Sequence, residues 1–107
     1  MTRLYEAKLR PHGLRATQFS VLAALSQKGP TPVHELADFL GLDRTTLARS
    51  ASLLERNGWV GSKPSQLDAR EHVLSLTSEG RDKLEAAFPS WKEAQLFVDQ
   101  HLTNTPK

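Results

Sequence analysis

Two short apolar stripes separated by one tight turn constrain this chain more than any other feature. Val33, Leu36, Ala37 and Leu40 follow the i, i+3, i+4, i+7 spacing of a single helical face. Gly41-Leu42 then turns the chain. Asp43 is placed to cap a second helix running to Asn57, with Gly58 at its C-terminal end. In that helix Leu47, Ala51 and Leu54 share the inward face, while Thr45, Arg49, Ser52 and Arg56 lie opposite. The outward stripe holds small polar residues and arginines with no carboxylate, whereas an ordinary solvated face mixes in Glu and Asp. Two helices so joined, the second presenting Thr and Arg, spell a helix-turn-helix.

The flanks extend this unit. Residues 2–10 are helix-compatible until Pro11-His12-Gly13 breaks them, and Phe19, Leu22 and Leu25 predict a helix over 16–28 that ends at Gly29-Pro30. Thr31 reads as the N-cap of the next helix, with Pro32 at its first position. Beyond Gly58, Trp59 and Val60 open a short strand, Pro64 to Arg70 form a polar loop, and Leu74 and Leu76 alternate with Ser75 in a second strand. The prediction is a hairpin with a basic tip, after which Thr77 caps a last helix. There Leu84, Phe88, Trp91, Gln95, Val98 and Leu102 recur at 4-3-4-3-4 spacing across Pro89, which predicts one kinked helix with a coiled-coil-like seam. Thr103 to Lys107 read as a tail.

A chain of 107 residues makes one small domain with little core to spare for a projecting arm. The seam is therefore expected to be covered by a second copy. With no run of about 18 apolar residues, and no apolar core in Met1 to Tyr5, neither a membrane span nor a secretory signal is expected, and a cytoplasmic location is. The absence of cysteine removes disulfides, thiolate metal sites and thiol nucleophiles. His12, His34, His72 and His101 are dispersed without ligand spacing, and no phosphate loop or hydrolase motif occurs. No catalytic residue, metal or cofactor is expected. His34 and Asp38 read as an i, i+4 surface pair, and His72, in phase with Leu74 and Leu76, as a packed or half-buried residue. Positive charge concentrates in residues 44–70, where five basic residues, four of them Arg, face two acidic ones. That pattern suits either a phosphate-bearing partner or a solvated face.

Several stretches, in this order, resemble the MarR family of winged-helix transcription regulators. They are Leu14 to Phe19, Glu35-Leu36-Ala37 with Leu40 to Thr46, Leu54 to Gly58, Asp68-Ala69-Arg70, and Leu76 to Arg81. Arg15 stands where the family has a helix-capping Thr, and Ser50 and Leu53 replace a usual apolar and a usual polar residue on the second helix of the motif. The chain is also short at both ends.

The resemblance implies a mainly α fold with a small β-hairpin wing. Residues 14–77 would form the DNA-binding lobe, and 1–12 with 78–102 the dimerisation helices. It implies a homodimer on a palindromic duplex, acting as a repressor, with helix 43–57 in the major groove and wing 61–72 in the minor groove. Thr45, Thr46 and Arg49 would face base edges, Arg44 a phosphate, Ser52 and Lys63 would join the DNA contact, and Asp68 would hold Arg70 for the minor groove. Leu4, Tyr5, Leu84, Phe88, Trp91, Val98 and Leu102 would line the dimer contact. Phe19, Trp59, Phe88 and Trp91 would border a pocket for a small aromatic effector. A protein-interaction module remains the other open class.

Overall fold

A computed structural model of the chain describes the backbone over residues 2–67 and 70–103 and the side chains over 6–67 and 70–96. Asp68 lies outside the described residues, as do the side chains of Leu4, Tyr5, Val98 and Leu102. The order is α1 (Thr2–Leu9), a 3-10 turn (Arg10–His12), α2 (Ala16–Lys28), β1 (Thr31–Pro32), α3 (Val33–Leu40), α4 (Arg44–Arg56), β2 (Val60–Pro64), β3 (His72–Leu76) and α5 (Ser78–Thr103). The helical hairpin of α3 and α4 and the β-hairpin lie where the apolar spacing predicts.

One element differs from expectation. Thr31 does not cap α3; it is a strand residue, paired with Leu74 in an antiparallel sheet of order β1-β3-β2. Pro32 takes the N-cap position without a side-chain bond, and the Thr31 hydroxyl donates backward to the Gly29 carbonyl at 2.8 Å. Extended backbone at Thr31 serves a cap and a strand equally well, and pairing with the distant Leu74 decides between them.

The start of α2 shows how the chain manages without a capping Thr. Gln18 Oε1 accepts the Arg15 N–H at 2.9 Å, and Glu6 Oε1, reaching over from α1, accepts the Ala16 N–H at 2.8 Å. Two orphan donors are thereby satisfied, and a carboxylate sits at the positive end of the helix dipole.

Leu22, Leu36, Leu47 and Leu54 are wholly buried and form one core with Val60 and Leu74 of the sheet. Burial of each such leucine contributes about 2 kcal/mol as an upper estimate. The Cα radius of gyration is 15.0 Å with extents of 52 × 29 × 21 Å, against about 13 Å for a rounded domain of this length. The molecule is therefore elongated.

α5 runs unbroken through Pro89, but its seam divides. Leu84, expected on the dimer contact, is 8% exposed and belongs to the chain's own core, as does Ala87. Trp91 is partly buried and stacks on Phe19, ring centroids 5.5 Å apart. Phe88 and Leu96 stay 45% and 49% exposed. At the helical period, Leu84, Ala87, Trp91 and Ala94 share the face turned inward, and Phe88 falls to its edge. α1 and the 3-10 turn after it lie along this helix, α1 tied by Lys8 to Glu93 (3.2 Å) and the turn by His12 to Ser90 (3.0 Å).

Candidate nucleic-acid interface

Both ends of α4 are fixed by local chemistry. Asp43 Oδ1 accepts the Thr46 N–H at 2.7 Å, an N-cap as the sequence predicts. At the other end Trp59 N–H donates to the Leu54 carbonyl and Gly58 N–H to that of Glu55, at 2.9 and 3.0 Å. This paired closure needs left-handed backbone, which Gly58 supplies at φ 80°. The Thr46 backbone N–H and hydroxyl hold the Asp43 carboxyl below its ordinary value, with the Arg49 charge assisting.

Arg44, Thr45, Thr46, Arg49 and Ser52 are all exposed on this helix. A shallow depression of about 700 Å³ along it is lined by Arg44, Thr45, Ala48, Arg49, Ser52, Leu53 and Arg56. Its rim holds three guanidinium groups and no carboxylate. Ala48 and Leu53 are the apolar members, and Leu53 is 42% exposed among charged neighbours. A second groove of about 370 Å³ runs between α4 and the hairpin. Arg44, Ala48 and Ser52 border it too, together with Arg70, Glu71 and His72. Helix and hairpin thus share one continuous face. Lys63 and Thr46 are exposed but line neither hollow.

Glu71 and His34 join the hairpin to α3, a pairing that the local pattern does not predict. Glu71 Oε1 accepts the His34 backbone N–H at 3.1 Å and lies 2.9 Å from His34 Nδ1. The His34 ring, its backbone N–H and the Arg44 charge hold the Glu71 carboxyl below its ordinary value. The expected His34–Asp38 pair is replaced by this contact. His72 is exposed rather than packed, and its Nδ1 lies 3.2 Å from the Ser62 hydroxyl across the hairpin.

The four aromatics expected around one pocket separate. Phe19 and Trp91 border a cleft of about 200 Å³ with Phe39 and Leu40. Phe88 touches its edge through Trp91, the centroids 5.6 Å apart. Trp59 is not among the lining residues; it packs at the start of α5, with the Lys83 ammonium 4.9 Å above its ring. Trp59 follows the end of α4, and the turn at Gly58 carries its ring toward the last helix instead. Among the described residues no cluster of side chains has the makings of a metal site, and no helix is long and apolar enough to cross a membrane.

The HTH-type transcriptional regulator YwoH of Bacillus subtilis is 37% identical over 78 residues, which is 73% of this chain and 56% of that protein. The transcriptional repressor MprA of Escherichia coli is 32% identical over 83 residues, 76% of this chain and 47% of its own. The chain spans about half the length of the curated relatives it matches. The transcriptional regulator MosR of M. tuberculosis, solved in complex with DNA, superimposes with a TM-score of 0.81 at 39% identity, covering 91% of this chain and 70% of that one. A profile of the MarR family matches residues 14–72, more than half of the sequence. Winged helical fold, motif order and relatives agree, and the chain belongs to the MarR family.

Proposed function

We propose that the chain is a sequence-specific regulator of bacterial transcription that binds double-stranded DNA as a homodimer and represses. One observation carries this reading: the exposed face of α4 gathers Arg44, Arg49 and Arg56 around Thr45 and Ser52 with no carboxylate on its rim. Arg49 suits guanine O6 and N7 together, and the hydroxyl and methyl of Thr45 suit a thymine. Arg70 in the hairpin reaches the minor groove, where narrow A·T-rich sequence concentrates negative potential. The exposed Phe88 and Leu96 on α5 meet their equivalents in the second copy, with Leu4, Tyr5, Val98 and Leu102 extending the contact. Two half-sites then follow in a palindrome. The DNA complex of MosR and the repressor MprA support the duplex and the sign of regulation. Such a protein works in the cytoplasm.

Selection from random duplexes at two salt concentrations tests this. A palindromic consensus is expected, with affinity falling as salt rises, by a slope of about 0.9 for each phosphate contact. Equal recovery of all sequences, or binding indifferent to salt, sinks the reading in favour of a protein-interaction role.

A second reading, gating by a small aromatic effector, rests on the Phe19–Trp91 stack beside the cleft of about 200 Å³. That volume is below the roughly 300–1,000 Å³ usual for drug-sized ligands, so a one-ring compound is the fitting size. Thermal stabilisation by simple phenols tests it.

A further inference from the structure

We propose that Glu71 is the positioning residue of the hairpin, tying it to the start of α3 and so setting where Arg70 meets the duplex. The proposal rests on the DNA-binding reading above.

Glu71 fastens the hairpin in two directions. Its carbonyl accepts the Ser65 N–H at 2.7 Å, closing the neck of the loop just beyond the last strand pair, Pro64 with His72. Its carboxylate crosses to a helix 37 residues away, accepting the His34 N–H at 3.1 Å and meeting the ring at 2.9 Å. His34 is the second residue of α3, one of the first-turn donors that find no partner inside their own helix. Glu71 provides that partner. The loop bearing Arg70 is thus anchored at its base to the helix-turn-helix itself, and the placement of Arg70 relative to Arg49 does not rest on the β2–β3 pairing alone.

The charge makes the point sharper. Glu71 and Arg44 border the same groove as Arg70. A carboxylate there repels phosphate, so by charge alone Glu71 weakens DNA binding. A gain through geometry has the opposite sign, which allows the two effects to be separated.

The test uses Glu71→Ala and Glu71→Gln in the full chain, with the selected palindrome flanked by A·T or by G·C pairs. Glu71→Ala is expected to lose about fivefold on the A·T-flanked duplex and to change little on the G·C-flanked one, because minor-groove contact by Arg depends on groove width. Glu71→Gln keeps an oxygen for the His34 N–H and is expected to retain the A·T preference. Exchange of the His34 amide, read by NMR without DNA, should quicken in Glu71→Ala and not in Glu71→Gln. An unchanged A·T to G·C ratio alongside quickened exchange overturns the proposal, leaving Glu71 as a helix cap alone. Unchanged exchange overturns it as well, by removing the tie. A wild-type chain with no preference among duplexes instead fails the DNA-binding reading, and the proposal falls with it. Should Glu71→Ala not fold, His34→Ala keeps the backbone bond and is expected to give an intermediate ratio; the wild-type ratio in that variant overturns the proposal too.

Discussion

Gly80, in the first turn of α5, lies against the backbone carbonyl of Trp59 so closely that a β-carbon on it would overlap the oxygen. The Thr77 hydroxyl donates to the Gly58 carbonyl at 2.6 Å and accepts the Gly80 N–H at 2.9 Å. The end of α4 and the start of α5 are joined backbone to backbone at this point. Gly80→Ala must push the two apart and should cost about 1–3 kcal/mol, the range of overpacking, in denaturant unfolding at fixed protein concentration. A cost below about 0.5 kcal/mol would show that the junction yields.

Arg49 faces away from the core stripe and touches the open depression on α4. Arg49→Ala should weaken operator binding by about 1–3 kcal/mol and relax preference at one position of each half-site, while moving stability by no more than about 0.5 kcal/mol. Titrations against operator and random duplex decide it. An equal loss on both makes Arg49 a phosphate contact.

Arg70 and Asp68 should respond with opposite charge logic. Arg70→Ala is expected to lower the salt slope by about 0.9 per protomer and to weaken binding most on A·T-rich flanks. Asp68→Ala removes a negative charge, yet should also weaken binding if the aspartate steers the arginine. Tighter binding by Asp68→Ala would end that assignment.

The dimer contact is expected to depend on the apolar side chains that α5 leaves exposed, Phe88 of the seam and Leu96 beside it. Phe88→Asp with Leu96→Asp leaves the buried Leu84, Ala87 and Ala94 in place, so the chain should stay folded, sediment as a monomer and bind its palindrome far more weakly. Trp91 is a poor probe, because its loss also removes the stack on Phe19.

Acid should weaken the bonds that Asp43 and Glu71 accept at the starts of α4 and α3. The carboxyls of Asp43 and Glu71 are depressed below their ordinary values of 3.8 and 4.5 by the bonds they accept. A depressed carboxyl adds stability that is complete above its unfolded value and is lost as pH falls through the folded one. The thermal midpoint should therefore hold from pH 7 to about 5 and drop beneath about 4. Asp43→Asn should make that drop shallower; an unaltered profile would mean that other groups govern it.

What could be read in the sequence was whatever repeats locally. The stripes Val33 to Leu40 and Leu47 to Leu54, the Asp43 and Thr77 caps, and the continuation of α5 through Pro89 all depend on neighbours within about a turn. The outward face of α4, with Thr45, Arg49 and Ser52 exposed, came with them, because a helix assigns each side chain a direction. Contacts between distant segments left no such trace. Thr31 pairs with Leu74, Glu6 caps Ala16, and Glu71 meets His34, each choosing among geometries that local pattern leaves equal. Leu84 misled for a related reason: a heptad stripe records apolarity, not which of two neighbours covers it.

Pro89 has one more consequence. It lacks an N–H to give the carbonyl of Glu85, one turn earlier, so α5 passes its midpoint with a rung missing. Bending stiffness in a helix comes from that ladder, and the rod is softest there. The His12–Ser90 contact sits beside the soft point like a stay on a mast. Bending of α5 therefore costs least near Pro89, about two turns beyond the backbone junction at Gly80. The lobe that holds the helix-turn-helix and the far half of α5 are thus joined through the turn of that helix with the fewest backbone bonds.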